Sequence, residues 1–191
     1  MKTIRVSLPL ILILTLSLVY GQSKIEWSEE YKLQASDFRA PAPNTGTRQT
    51  IQPVTHIDYE FPTKMFQFKN SNSVIANNFK PLNSWLDEGP HTEHLLRYAQ
   101  TIFDLSEISA RKLRKKFHEN RMRVLTGKID EYYNEMSEEM TALVSRYAKE
   151  TDFGDNLEKQ AEWEVYIQET LTEYADYCKS CKLPKKKKKK K

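Results

Sequence analysis

The chain has 191 residues, of which 39% are hydrophobic and 29% charged, enough for one domain with a real core but not for two. Its formal net charge of +4 is a composite. Setting aside Lys2, Arg5 and the seven lysines Lys185 to Lys191 leaves 21 of the 30 basic residues against all 26 acidic ones, so an acidic body of about −5 ends in a basic string. With five glycines there is no phosphate-cradling loop and no dinucleotide fingerprint, and no serine sits in a nucleophile elbow with a credible triad.

Residues 1–21 carry Lys2 and Arg5, an apolar run over residues 8–20, and Val19-Tyr20-Gly21 as a small-residue cleavage pattern. That order reads as a secretory signal peptide cut near Gly21, so the mature chain is expected to begin at Gln22 and to be exported, periplasmic or extracellular. An uncleaved anchor is the alternative, although thirteen residues are short for a spanning helix of about 20. No cysteine lies near the cut, which removes a lipoprotein anchor.

Residues 22–86 are turn-rich, with Pro41, Pro43, Pro53, Pro62 and Pro81 as breakers and no helical period. Ile25-Glu26-Trp27 and Ile57, Tyr59, Phe61 alternate as strands do, and Phe66-Gln67-Phe68 and Val74-Ile75-Ala76 are further short candidates. A small, mostly antiparallel sheet is expected.

Residues 91–117 form the longest helical pattern free of Pro and Gly. Leu95, Ala99, Ile102, Ser106, Ala110, Leu113 and Phe117 recur at three- and four-residue steps, which places them on one stripe. Arg111, Lys112, Arg114, Lys115 and Lys116 are expected on the solvent side of the last turns, where positive charge suits the helix dipole.

Thr126-Gly127 breaks the chain, and residues 128–149 predict a second helix with Ile129, Tyr132, Tyr133, Met136, Met140, Leu143, Val144 and Tyr147 as its core-facing set. Past Gly154, residues 156–177 predict a third, capped by Asn156, with Leu157, Trp163, Val165, Ile167, Leu171 and Tyr174 as the apolar set.

Cys178 and Cys181 close the last helix as a C-K-S-C pair, readable in an exported protein as a local disulfide, a redox pair or half a metal site. A redox cysteine usually sits at a helix N-terminus, where the dipole lowers its pKa; these follow a C-terminus, which favours a structural or idle pair. The heptalysine beyond Pro184 cannot fold alone, because like charges repel and nothing apolar is buried. It suits anionic lipid head groups or surface polysaccharide, and nucleic acid less, since no aromatic residues interleave the charge.

Two motifs carry a resemblance. Leu95-Leu96-Arg97-Tyr98-Ala99-Gln100-Thr101-Ile102-Phe103-Asp104, followed by Ala110-Arg111-Lys112-Leu113-Arg114, resembles the active-site helix of the bacterial predicted secreted zinc-dependent proteases, domain-of-unknown-function family 922. Tyr147-Ala148-Lys149-Glu150-Thr151-Asp152-Phe153-Gly154 is similar to that family's second motif, continued by Gln160 and Trp163. Trp27, residues 33–35, Asp37-Phe38 and Ser84-Trp85 resemble weaker markers, with Ala35 where a Trp is usual. The resemblance implies a zincin-like fold with Tyr98 and Ile102 at the positions of two zinc-binding histidines, Ala99 at the catalytic glutamate and Phe153 at the third ligand. A zincin helix needs His at i and i+4 to reach one metal and a Glu to deprotonate its water. Isoleucine and phenylalanine have no lone pair to give, and alanine is no base. Tyr98, Ile102 and Phe153 are expected instead to converge as an apolar plug.

Of the histidines, His91 and His94, flanking Glu93, are the one alternative metal pair; His56 and His118 have no visible partner in sequence. The expectation is therefore an α+β, zincin-like protein, a small sheet packed with about three helices. Residues 1–21 are the signal peptide, 22–177 the domain and 178–191 the Cys pair and lysine tail. It would be a non-catalytic binding or scaffolding homologue without metal or cofactor, the alternative being a metal-dependent peptidase with non-standard ligands.

Overall fold

The computed structural model describes residues 24–43, 50–61 and 70–184. The signal-peptide segment, the strand candidate at residues 66–68 and the seven terminal lysines lie outside the described residues.

The architecture is α+β. Strand β1 (Ile25–Glu26), β2 (Ile51–Gln52), β3 (Thr55–Tyr59), β4 (Ile75–Phe79) and β5 (Trp85–Leu86) precede helices α1 (Thr92–Glu119), α2 (Arg121–Leu125), α3 (Ile129–Glu150) and α4 (Leu157–Glu173). The strands form two antiparallel sheets, β1-β4-β3 and β2-β5. In the larger one, Ile25 faces Phe79 across one side of β4, and Thr55 to Tyr59 pair with Phe79 to Ile75 across the other. The pair β2-β5 was not foreseen. Two-residue strands carry too little alternation to register, and this pair joins segments more than thirty residues apart, with Trp85 Nε1 donating to Gln52 Oε1 (3.1 Å).

Alternation along β4 turns Ile75, Asn77 and Phe79 toward α1. Asn77 sits among apolar neighbours and is fully used there: its Nδ2 donates to the Phe103 carbonyl (3.1 Å) and its Oδ1 accepts from Ser106 Oγ (2.7 Å). A buried amide costs stability unless paired, so this contact favours one strand-to-helix register. It also explains why Ser106 can lie on the buried stripe.

All seven residues of the α1 stripe are buried, but so are Phe103, Leu105, Glu107, Ile108, Arg111 and Arg114, because α1 is enclosed on several sides. The sheet, α3, α4 and the segment Ala175–Tyr177 all pack on it. One apolar cluster at its N-terminal half unites Leu95, Tyr98, Ile102 and Phe103 with Tyr147, Trp163 and Ile167; a second, at its C-terminal half, unites Leu113 and Phe117 with Ile57, Tyr132 and Met136. Two expectations are corrected here. Arg111 and Arg114 do not line a solvent face, since the C-terminal segment covers it; Lys112, Lys115 and Lys116 remain half-exposed. On α4 the core-facing positions are Gln160, Trp163, Ile167 and Leu171, whereas Val165 is 59% exposed and Leu157 also lies outside, as steps off that stripe require. The Asn156 cap forms: Oδ1 accepts from the Lys159 amide (3.1 Å).

Candidate functional site

The positions to which the resemblance points come first. Tyr98, Ala99 and Ile102 all face inward from α1 and are buried. The Tyr98 ring stacks on Tyr147 (centroids 5.2 Å, planes 19° apart), and Tyr147 meets Trp163 edge-on. Behind them the Tyr147 hydroxyl donates to Gln160 Oε1, and Gln160 Nε2 donates to Thr101 Oγ1 (2.8 Å) and Glu164 Oε1 (2.9 Å). Desolvation pushes the Tyr98 hydroxyl up to about 12 and Tyr147 upward as well, so neither offers a phenolate near neutrality.

The turn Asp152–Gly154 packs against Tyr98 through Gly154. Phe153 does not join the plug: it is 60% exposed and belongs to neither apolar cluster. Its φ is +57°, a left-handed turn position, and the space over Tyr98 is taken by the Gly154 backbone at φ +99°. Tyr98 and Ile102 converge with Tyr147 and Trp163 instead. Zinc does not fit the positions Tyr98, Ala99, Ile102 and Phe153, which offer one protonated phenol and three hydrocarbon side chains.

Other residues of the two motifs have structural partners. Asp104 Oδ1 accepts from Trp27 Nε1 (2.7 Å) and Gln100 Nε2 (2.8 Å), tying the segment after β1 to α1. Glu150 Oε2 accepts from Trp163 Nε1 (2.9 Å), and the Thr151 carbonyl accepts from the Asn156 amide (2.8 Å), closing the turn into α4. His91 and His94 lie at the start of α1 with ring centroids 6.1 Å apart. Among the described residues no group of three His, Cys, Asp or Glu side chains is placed to hold a metal ion. No helix among them is long and apolar enough to cross a membrane.

A second site, unforeseen from sequence, lies at the other half of α1. A cleft of about 670 Å³ opens between the segment after β1 and the C-terminal segment, with Arg111, Arg114 and Glu107 as its floor and Trp27 and the Cys178–Cys181 disulfide on its walls. Arg111 and Arg114 are 2% and 1% exposed. Glu107 Oε1 accepts from both, from Arg111 Nε (3.1 Å) and Arg114 Nη1 (2.7 Å). Arg114 is further held by the carbonyls of Ile75 and Tyr177, and Arg111 by that of Leu171. The Arg111 guanidinium also stands 5.3 Å from the Trp27 ring centroid. The i, i+4, i+7 spacing of Glu107, Arg111 and Arg114 was a readable signal that the three share one face; that this face is covered was not.

The disulfide is one of the three readings left open for the Cys pair. Asn72 Nδ2 donates to the carbonyls of Asp176 (2.9 Å) and Cys181 (3.1 Å), which fixes this segment over the cleft. No family model, curated protein or solved structure matches the chain.

Proposed function

We propose that this chain is an exported, zincin-like protein that does not cleave peptides and acts by binding or scaffolding a partner in the cell envelope. The observation that carries this reading is the burial of Tyr98 between Tyr147 and the Gly154 backbone. The helix face that resembles a protease active site is packed as core, with Ala99 where the resemblance puts the base. The residues of both motifs outside the ligand positions keep structural partners, as expected of a fold that outlasts its chemistry. Contact with an anionic surface through Lys185 to Lys191 belongs to the same proposal, at about 1 kcal/mol per basic residue near such a surface.

Elemental analysis of the dialysed mature protein tests it, together with an assay on an unfolded protein substrate and vesicle binding with and without the seven lysines. No stoichiometric zinc, no cleavage, and anionic-vesicle binding that disappears with the lysines are expected. About one zinc per chain, lost on substituting His91 or His94, would overturn the reading in favour of a peptidase with other ligands. Vesicle binding that survives the deletion would move the membrane contact elsewhere.

A further inference from the structure

The floor of the cleft holds two guanidinium groups and a single carboxylate, all essentially out of water. Within the floor that leaves one positive charge beyond Glu107, and a buried charge is costly unless an anion stands beside it; here the anion is Glu29, across 3.5 Å. Arg114 is satisfied by Glu107 and by main-chain carbonyls. Arg111 is not equally satisfied. Its Nε and Nη1 are engaged, but among the described residues its Nη2 meets Glu29 Oε1 alone, at 3.5 Å, the limit of a hydrogen bond.

Glu29 is poorly suited as a permanent counterion. Its side chain is 71% exposed, and an exposed carboxylate keeps much of its hydration. The segment bearing it is pinned on both sides. Trp27 is held by its amide to the Asn77 carbonyl (2.9 Å) and by its indole to Asp104. Leu33 is held by its amide to Gln100 Oε1 (2.9 Å). Glu29 lies between these anchors and can swing away while the segment stays in place. The outward edge of the guanidinium then faces the cleft, beside the Trp27 ring.

We propose that the cleft binds a carboxylate-bearing ligand, whose carboxylate takes the place of Glu29 on Arg111. With Nε on Glu107 and Nη1 on the Leu171 carbonyl, Nη2 is the donor that an incoming carboxylate meets, in a charge-assisted hydrogen bond that replaces the long contact to Glu29. A single negative charge replaces Glu29 on Arg111 like for like, whereas a phosphate dianion would bring a second negative charge into a lining that already holds Glu26, Glu29 and Glu30. The cleft is large enough for a small aromatic acid or for the last residues of a peptide with a free C-terminus. The inference does not rest on the zincin-like reading, because it uses residues away from Tyr98 and Ile102, and the zinc and cleavage assays leave it untouched.

The experiment titrates the full chain with benzoate and with tetra-alanine, each against its neutral amide, by following the Arg111 Nε–Hε resonance at millimolar ligand. Glu29→Gln removes the competing carboxylate at an exposed position that cannot threaten folding. It is expected to tighten acid binding by about tenfold, one charge-assisted contact's worth, while the amides bind neither form. Arg111→Lys keeps the charge but loses the Nη2 donor beside Glu29, and is expected to weaken acid binding with the circular dichroism spectrum unchanged. Tighter binding of benzoate identifies a small-molecule acid as the source of the carboxylate; tighter binding of the peptide identifies a chain terminus. If neither acid shifts the resonance in Glu29→Gln, or the amides bind as well as the acids, the proposal is overturned.

Discussion

Gly154 lays its backbone directly on Tyr98: a Cβ at that glycine would stand 2.9 Å from the Tyr98 Cβ, closer than side-chain carbons pack. The turn before α4 and the middle of α1 are therefore held together by an absent side chain, and Tyr98 keeps its stacking on Tyr147 only while position 154 has none. The contact supplies a clean comparison, because Gly127 shares the same φ of +99° with nothing within 4 Å of its Cβ position. Gly127→Ala should cost about 1 to 2 kcal/mol for the left-handed backbone alone. Gly154→Ala should cost that and an overpacking penalty of about 1 to 3 kcal/mol more. Urea unfolding of the two variants checks this, and equal losses would mean that the turn can lift off Tyr98 freely.

Phe153 is exposed and Ile102 is buried in the cluster around Tyr147 and Trp163. Phe153→Ala should therefore change stability by no more than about 0.5 kcal/mol, as surface substitutions do, while Ile102→Ala should lose about 2 to 5 kcal/mol. A large loss at position 153 would show that its ring packs against the body in solution.

Glu107 alone answers both buried arginines of the floor. Glu107→Gln keeps the shape and removes the charge, leaving two guanidinium groups without a buried carboxylate. Breaking such a buried arrangement by one partner is expected to cost about 3 to 5 kcal/mol in denaturant unfolding. A loss under about 1 kcal/mol would mean that water already reaches the arginines.

Asp104 supplies a pH test. Burial raises its carboxyl above the ordinary value of 3.8, only partly opposed by the hydrogen bonds from Trp27 and Gln100 and by Lys32. A raised acid binds more protons folded than unfolded, so its contribution to stability is fully present below the unfolded value and is lost as pH rises through the folded one. The stability of the wild type relative to Asp104→Asn should accordingly fall as pH climbs from below 3.8 toward neutrality. A difference that grows with pH would show that the Trp27 and Gln100 hydrogen bonds outweigh the burial.

What was legible from sequence is what neighbours along the chain decide. The apolar periods of α1, α3 and α4 mark these helices to within a residue or two at their starts, the break at Gly127 and the cap at Asn156 follow from local backbone chemistry, and the alternation at Ile25 and Ile57 marks strands. Periodicity says which residues share a face; it does not say how many faces are covered. Arg111 and Arg114 read as solvated charge because one apolar stripe normally implies an open opposite side, and only the C-terminal segment, tied down through Asn72 and Tyr177, closes that side over them. Phe153 is expected in the plug because the resemblance sets it at a third ligand position, yet its direction is set by a left-handed φ and by a glycine backbone that already fills the space over Tyr98. Both outcomes depend on contacts between segments tens of residues apart, where burial and main-chain hydrogen bonds outweigh the preference of any single residue.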